Sequence, residues 1–424
     1  MTPARTATSH QRQDRYRTAM KYLSDSVPAC PGNIKSIYDD FYVEEIPLYP
    51  FSGNGDHTLV QIEKTGLSTF EAVRRICVEL SFPERDVGVA GLKDARGRTR
   101  QWFSFEHCPP ERFAKLSIPK IQVLQTTRHG NKLKRGHLAG NRFTVVLRDV
   151  APEHLPHAQA TLAILAKRGV PNWYDTQRFG WRLDSARLGL CLIRKDMEGY
   201  FRTFLGEPSH ELDSRSFEAR KAYEDGNLAG ALELLPRNAN IERMALKAVM
   251  EHGPSDKALR CVQQKLKLFH VSAAQSLLFN RCLEQRFDEL DRVWVGDLCE
   301  KQNGAKFTVE DAAAEQPRAD AFEISATGPI FGSKMMQPKG REQEIELAVL
   351  EDAKLTLDSF EIGKGLSQKG DRRPYRYRAT DLEAVYDKDA LTLKFALPKG
   401  CYATVLLKEI TKDERVDLTF GDED

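Results

Sequence analysis

The sequence predicts an α+β protein: a mainly antiparallel sheet to which both ends of the chain contribute, interrupted by an inserted domain of mixed α/β character. Three observations predict it. Over the first 170 residues, short alternating runs outnumber helical ones, with two helices among them. Over 181–373 helical periodicity dominates. Residues 391–397 then return as a lone strand, with Leu391, Leu393, Phe395 and Leu397 on one face, and a lone strand needs a sheet to join. The boundaries drawn on this basis are a basic N-terminal arm over 1–29, the sheet domain over 30–180 and 375–424, and the insertion over 181–374.

In order, residues 34–46 alternate loosely and read as a first strand, closed by the turn-rich cluster 47–56. Residues 57–64 are a second strand. Ser68 and Glu71 have capping-box spacing, and Phe70, Val73, Ile76, Cys77 and Leu80 follow at helical spacing until Pro83 stops the helix. Residues 87–92 suit a short buried strand, 101–105 a return strand, 118–125 a further one, and 141–148 one with Phe143, Val145 and Leu147 on one face. A helix over 152–168 ends at Lys167-Arg168-Gly169. Within the insertion, helices are expected over 184–198, 216–235, 240–251, 256–269 and 272–287, then strands around 292–299 and 321–324. Residues 401–409 suit a short C-terminal helix.

At 424 residues, with 41% apolar and 29% charged side chains, the chain has the composition of a soluble two-domain protein. Its formal net charge of +2 is unevenly spread. Residues 90–148 carry 13 Lys/Arg against 3 Asp/Glu, whereas 409–424 carry 7 acids and 2 bases. A basic block in a nearly neutral protein points to a local phosphate-binding surface. The eight cysteines are scattered, with no Cys-x-x-Cys and no Cys/His cluster in sequence, which argues for reduced thiols in a cytoplasmic protein and against a metal site. No apolar run approaches ~18 residues, so no membrane span is expected. The N-terminus lacks an apolar signal core and reads as a flexible arm to about Lys21. With no heptad seam, a monomer is expected.

The stretch 88–105 concentrates the chemistry. One acid, Asp94, sits in a loop among Lys93, Arg96, Arg98 and Arg100. A carboxylate so surrounded is expected to be ionised at neutral pH, which suits a nucleophile or general base beside a polyanion, or simply a salt-bridged turn. Trp102, Phe103, Phe105 and Phe143 interleave with the basic residues, as aromatic platforms for unpaired bases would. The chain has no Walker A motif, no dinucleotide-binding glycine motif in a βαβ setting and no His-Glu-x-x-His, so nucleotide hydrolysis, dinucleotide redox chemistry and zinc hydrolysis lack support. An RNA-acting enzyme and a non-catalytic RNA-binding protein both fit these residues.

Six groups of residues resemble the TruD family of tRNA pseudouridine synthases. They are Ala90-Gly-Leu-Lys-Asp94 with Thr99 and Gln101; Lys132-Leu-Lys-Arg-Gly136 with Gly140-Asn-Arg-Phe143; Gly169-Val-Pro-Asn172 with Gln177-Arg-Phe-Gly180; Ser272-Ala-Ala-Gln-Ser-Leu-Leu-Phe-Asn280; Gly370-Asp-Arg-Arg-Pro374; and Leu397-Pro-Lys-Gly-Cys-Tyr-Ala-Thr404. The resemblance implies a pseudouridine-synthase catalytic domain split by the family's own inserted domain. It implies a cofactor-free isomerisation of a uridine, typically position 13, in tRNA or another structured RNA. Asp94 matches the family's nucleophile and Lys35 its basic partner. Phe41, Asn141 and Tyr402 match positions lining the target nucleotide, and Phe143 the aromatic packing on the base. The chain departs from the family at Tyr174-Asp175, where Phe-Gly is commoner, and at Cys401, where Ser is usual.

Overall fold

The single strand expected over 34–46 is in fact two. β1 (Asn33–Ile34) ends at Lys35, whose φ of 61° is left-handed and cannot continue a strand. A short 3-10 turn, Tyr38–Asp40, then leads into β2 (Phe41–Pro47). The buried Asp40 carboxylate fixes this turn by accepting the Ile37 N–H at 3.0 Å and a two-pronged contact from Arg148 at 2.6 and 2.8 Å. These features come from a computed structural model, which describes residues 20–208 and 213–414. The flexible reading of the arm up to residue 19 and the acidic tail over 415–424 lie outside the described residues.

β3 (His57–Thr65) precedes the helix Thr69–Leu80. Ser68 caps that helix by accepting the Glu71 N–H at 3.1 Å, but the Glu71 carboxylate does not complete the box; it pairs with Arg74 and Arg75 instead. Burying Ala72, Ile76 and Leu80, the helix packs on Val60, Ile62, Phe103 and Phe105 of the sheet. Next come β4 (Val87–Val89), β5 (Arg98–Glu106), β6 (Ile121–His129), β7 (Leu138–Arg148), the helix Leu155–Arg168 and β8 (Val170–Pro171). Phe103 and Phe105 are fully buried in this core, and Trp102 packs on the opposite face with Leu59, Leu133 and Phe51. Their expected role as base platforms is corrected accordingly: strand alternation spends these three aromatics on the two faces of the sheet.

The chain divides into two units, Trp173–Tyr375 and Tyr22–Asn172 with Arg376 onward. The first contains the helices Ser185–Arg194, Met197–Leu205, Ser214–Glu224, Leu228–Leu234, Asn240–His252, Gln264–Arg286, Ala312–Asp320 and Gly340–Asp352. Its strands β9 (Leu298–Lys301), β10 (Lys306–Thr308), β11 (Ile324–Ile330) and β12 (Asp371–Pro374) form an antiparallel sheet in the order β10-β9-β11-β12. The expected helices over 256–269 and 272–287 are largely one, Gln264–Arg286, with a 3-10 turn at Ala258–Cys261 before it. The loop at 173–180 belongs to this unit, where the Asn280 amide bonds the backbone of Tyr174 in both directions at 2.9 and 2.8 Å.

In the other unit, β13 (Arg376–Tyr377) pairs with β8, and β14 (Thr380–Asp387), β15 (Ala390–Pro398) and the helix Ala403–Thr411 follow. Among the described residues, nine strands form one sheet in the order β14-β15-β7-β2-β5-β3-β6, with β1 added on β7 and β4 on β5. The β2–β5 pair is parallel and the remaining pairs are antiparallel. The lone strand expected at 391–397 thus finds its partner in β7.

Residues 22–29, assigned from sequence to the N-terminal arm, are docked on the C-terminal helix. Glu409 is fully buried there, and its carboxylate accepts the Leu23 N–H at 2.9 Å, the Ser24 N–H at 3.1 Å and the Ser24 hydroxyl at 2.7 Å. A buried carboxylate without such donors would be costly, which ties the segment down. No helix among the described residues is long and apolar enough to cross a membrane.

Candidate active site

The register of the central strands sets out the site in rows. Successive side chains alternate between faces. On the face shared by Phe41 and Val43, one row runs Lys64, Thr99, Val43, Phe143, Phe395 across β3, β5, β2, β7 and β15. The next row carries Ile62, Gln101, Glu45, Asn141 and Leu397. Asp94 hangs over this face from the loop between β4 and β5. That loop passes close to β2: a Cβ at Gly97 would lie 2.6 Å from the Phe41 carbonyl oxygen, so only glycine fits there.

Asp94 is held on three sides. Lys35 donates from its ammonium to Oδ2, the Arg96 N–H donates to Oδ1 at 3.0 Å, and Lys64 Nζ donates to the Asp94 carbonyl at 3.0 Å. The Lys35 side chain is 3% exposed and that of Asp94 is 28% exposed. The buried cation therefore anchors a carboxylate that still faces solvent. Lys35 Nζ also lies 4.4 Å from the centre of the Phe41 ring, a cation–π contact that makes the ring the floor under the ammonium.

The four neighbouring cations are mostly engaged elsewhere, contrary to the expectation of a ring around Asp94. Lys93 is buried on Glu45 at 3.0 Å, Arg98 pairs with Asp39 at 3.3 Å and Arg100 with Glu63 at 2.6 Å. The physical reason is strand geometry: β5 begins at Arg98, so alternation points Arg98 and Arg100 to the face opposite Thr99. Polar bonds hold the loop rigid. Thr69 Oγ1 accepts the Lys93 N–H at 2.8 Å and bonds Gln101 Oε1 at 2.9 Å, while Gln101 Nε2 reaches the Gly91 carbonyl at 3.4 Å.

Lys64 was not singled out by sequence. It continues the apolar face of Val60 and Ile62 on β3, and a lysine at that parity was the available signal. Its side chain also donates to the Leu67 carbonyl. Burial pushes its ammonium down to about 8, with the Asp94 charge pulling the other way.

Asp94, Lys35, Phe41 and Phe143 form one connected group, since the Phe41 and Phe143 rings lie 6.2 Å apart. Phe143 is 7% exposed, and one face of its ring stacks on Phe395 at 5.1 Å and 21°. Asn141 is one row away, and its Oδ1 is buried with no hydrogen-bond partner. Tyr402 stands just before the C-terminal helix, half-buried, and its carbonyl accepts the Tyr377 hydroxyl at 3.3 Å. The arrangement presents a fixed carboxylate, a buried lysine bonded to it, an unpaired amide acceptor and an aromatic floor. Such a set can hold a planar ring that donates a hydrogen bond beside a fixed carboxylate.

A family model described as tRNA pseudouridine synthase D (TruD) matches residues 17–410. The tRNA pseudouridine synthase D of Geotalea daltonii is 44% identical over 393 residues, covering 92% of this chain and 99% of its own length. That of Anaeromyxobacter dehalogenans is 33% identical over 398 residues, covering 93% and 97%. The crystal structure of the putative tRNA pseudouridine synthase D (TruD) from Methanosarcina mazei superposes with a TM-score of 0.84 at 25% identity, covering 94% of this chain and 97% of that one.

Proposed function

The chain belongs to the TruD family of tRNA pseudouridine synthases, and from that premise we propose that it isomerises a uridine of tRNA, typically the one at position 13, with Asp94 as the acting carboxylate. The protein is a pseudouridine synthase, an isomerase whose substrate and product contain the same atoms. The N1–C1′ bond breaks, the uracil turns, and a C5–C1′ bond forms as C5 gives up a proton and N1 gains one. The reaction is redox-neutral and transfers no group between molecules, so the proposal calls on no cofactor.

The observation that carries the assignment is the Asp94 side chain, 28% exposed and bonded to a buried Lys35. A carboxylate in that position can attack C1′, add to the base, or take a proton from the sugar. In each route Lys35 bonds the carboxylate and holds its orientation. The uracil must first leave its stack, at a cost of a few kcal/mol. Phe41 and Phe143 would flank the extruded nucleotide, Tyr402 would line it, and the unpaired Asn141 Oδ1 fits the imide N–H of uracil. tRNA is the partner we assign, with other structured RNA as a further class; the basic run over 90–148 supplies phosphate contacts. We also place the protein in the cytoplasm as a monomer.

The test is Asp94→Asn incubated with unmodified tRNA, with pseudouridine mapped by carbodiimide labelling. Full turnover by the variant would remove Asp94 from the chemistry. A wild-type protein that binds tRNA and leaves every uridine unchanged would favour the non-catalytic RNA binder.

A further inference from the structure

Away from Asp94, the fold brings together three metal-ligating side chains. We propose that Cys30, His154 and His157 form a binding site for a single zinc-type divalent ion, leaving its fourth position to water. The ligand atoms of these residues all lie within 4.8 Å of one another. His154 ends the 3-10 turn Pro152–His154, and His157 lies three residues on, in the first turn of Leu155–Arg168, so the two rings share one side of the helix start. Their centroids are 5.7 Å apart at 62°. Cys30 is fully buried and reaches them from the segment leading into β1.

A second observation points to a ligand: Nδ1 of His154 and Nδ1 of His157 are both buried with no hydrogen-bond partner. One orphaned imidazole nitrogen is costly, and two beside a thiol make a donor set that lacks its acceptor of electron pairs. Two imidazoles and a thiolate are ligands that zinc takes in four-coordinate sites. Zn–N and Zn–S bonds of about 2.0–2.3 Å place ligand atoms roughly 3.5 Å apart in a tetrahedron, so modest side-chain rotations close the site. Metal binding converts the thiol to a thiolate and releases one proton to water; no electrons move.

The surroundings of the sulfur are mixed. Burial raises the thiol to about 11, while the Lys412 charge and a bond from the Ala158 backbone favour the thiolate. Lys412 would also repel an incoming cation, but its charge is shared with Glu409 at 3.8 Å. The thiol now donates to the His154 carbonyl at 3.3 Å, a bond given up on binding. The Cys30 N–H bonds the Ile410 carbonyl at 2.9 Å, so the ion would tie the C-terminal helix, the Leu155–Arg168 helix and the segment before Lys35 into one joint. The scattered cysteines argued against a metal site; Cys30 and His154 are 124 residues apart, and folding alone makes them neighbours.

The full chain, stripped with chelator and dialysed, should take up one zinc per molecule by elemental analysis. Titrated with cobalt(II) chloride, it should show four-coordinate visible bands with a near-ultraviolet thiolate charge-transfer band. Cys30→Ser should abolish the charge-transfer band, and the half-buried His157→Gln should weaken zinc binding at least about tenfold, each checked for folding by circular dichroism. Absence of the thiolate band in the wild-type protein would overturn the site, whichever variants fold. So would equal zinc affinity and stoichiometry in the wild type and His157→Gln.

Discussion

The two units each bury a cluster of charge, and the clusters are built to opposite ends. In the helical unit, Arg286 is enclosed with Asp297 at 2.5 Å and Glu342 at 2.7 Å, all with side chains no more than 1% exposed. Tyr375 donates to the same Glu342, and the Arg286 guanidinium lies 3.6 Å from the centre of the Trp294 ring. Neither carboxylate has an outlet. In the sheet unit the cation is just as hidden, but its carboxylate is open to solvent. A sealed cluster can only fix structure; one sealed on one side also leaves its carboxylate reachable, as the role proposed for Asp94 requires. That difference in exposure distinguishes the two clusters better than the count of nearby basic residues does.

Substitutions that exchange the two outcomes would break this contrast. The largest effect is expected at Asp94. Asp94→Asn keeps an oxygen for Lys35 to bond, so stability should change by only about 1–2 kcal/mol, while single-turnover pseudouridine formation falls by at least about 10⁴-fold. Arg286→Met should do the reverse. Removing one partner from a sealed pair costs roughly 3–5 kcal/mol, read as a lower denaturant midpoint for the helical unit. An unchanged midpoint would place that cluster among the dispensable ones.

Lys35→Met sharpens the comparison from the cation side. Asp94 can then hydrate, so folding is mostly spared, and the rate should fall about 10²–10³-fold through lost orientation and charge. The smallest effect belongs to Lys64. Its ammonium titrates near 8 in the folded protein against 10.5 when unperturbed, so the folded state binds fewer protons between those values. Stability should therefore rise with pH across that window, by up to about 3 kcal/mol, and level off above it. The check is the difference in unfolding free energy between wild type and Lys64→Met at pH 8, 9 and 10; a flat difference would contradict it.

The loop that carries Asp94 was legible because it is local: one acid between a glycine-bearing strand and a strand of fixed parity, β4 and β5. The strand-and-helix plan was legible for the same reason, and the C-terminal strand declared its need for a partner. What sequence hid is whatever depends on long-range contact. Phe103 and Phe105 looked like platforms for bases until the Thr69–Leu80 helix covered them. β14 was missed because, as the outer strand of the sheet beside β15, it buries none of its side chains fully. In the Cys30, His154 and His157 grouping only the two histidines are near in sequence, and Cys30 joins them through the fold alone.

The pairing of β15 with β7 has a consequence for synthesis. The two strands are joined by more than 240 residues, from Arg148 to Ala390. At about 5–20 residues per second, the ribosome needs on the order of 10–50 s to make that stretch. Throughout it, the nascent β7 has one bare edge, open to pairing with strands of neighbouring polysomal chains. Birth of the modifying activity is thus delayed to the last moments of translation, and a pause or truncation before Ala390 should yield aggregates and not a slow enzyme.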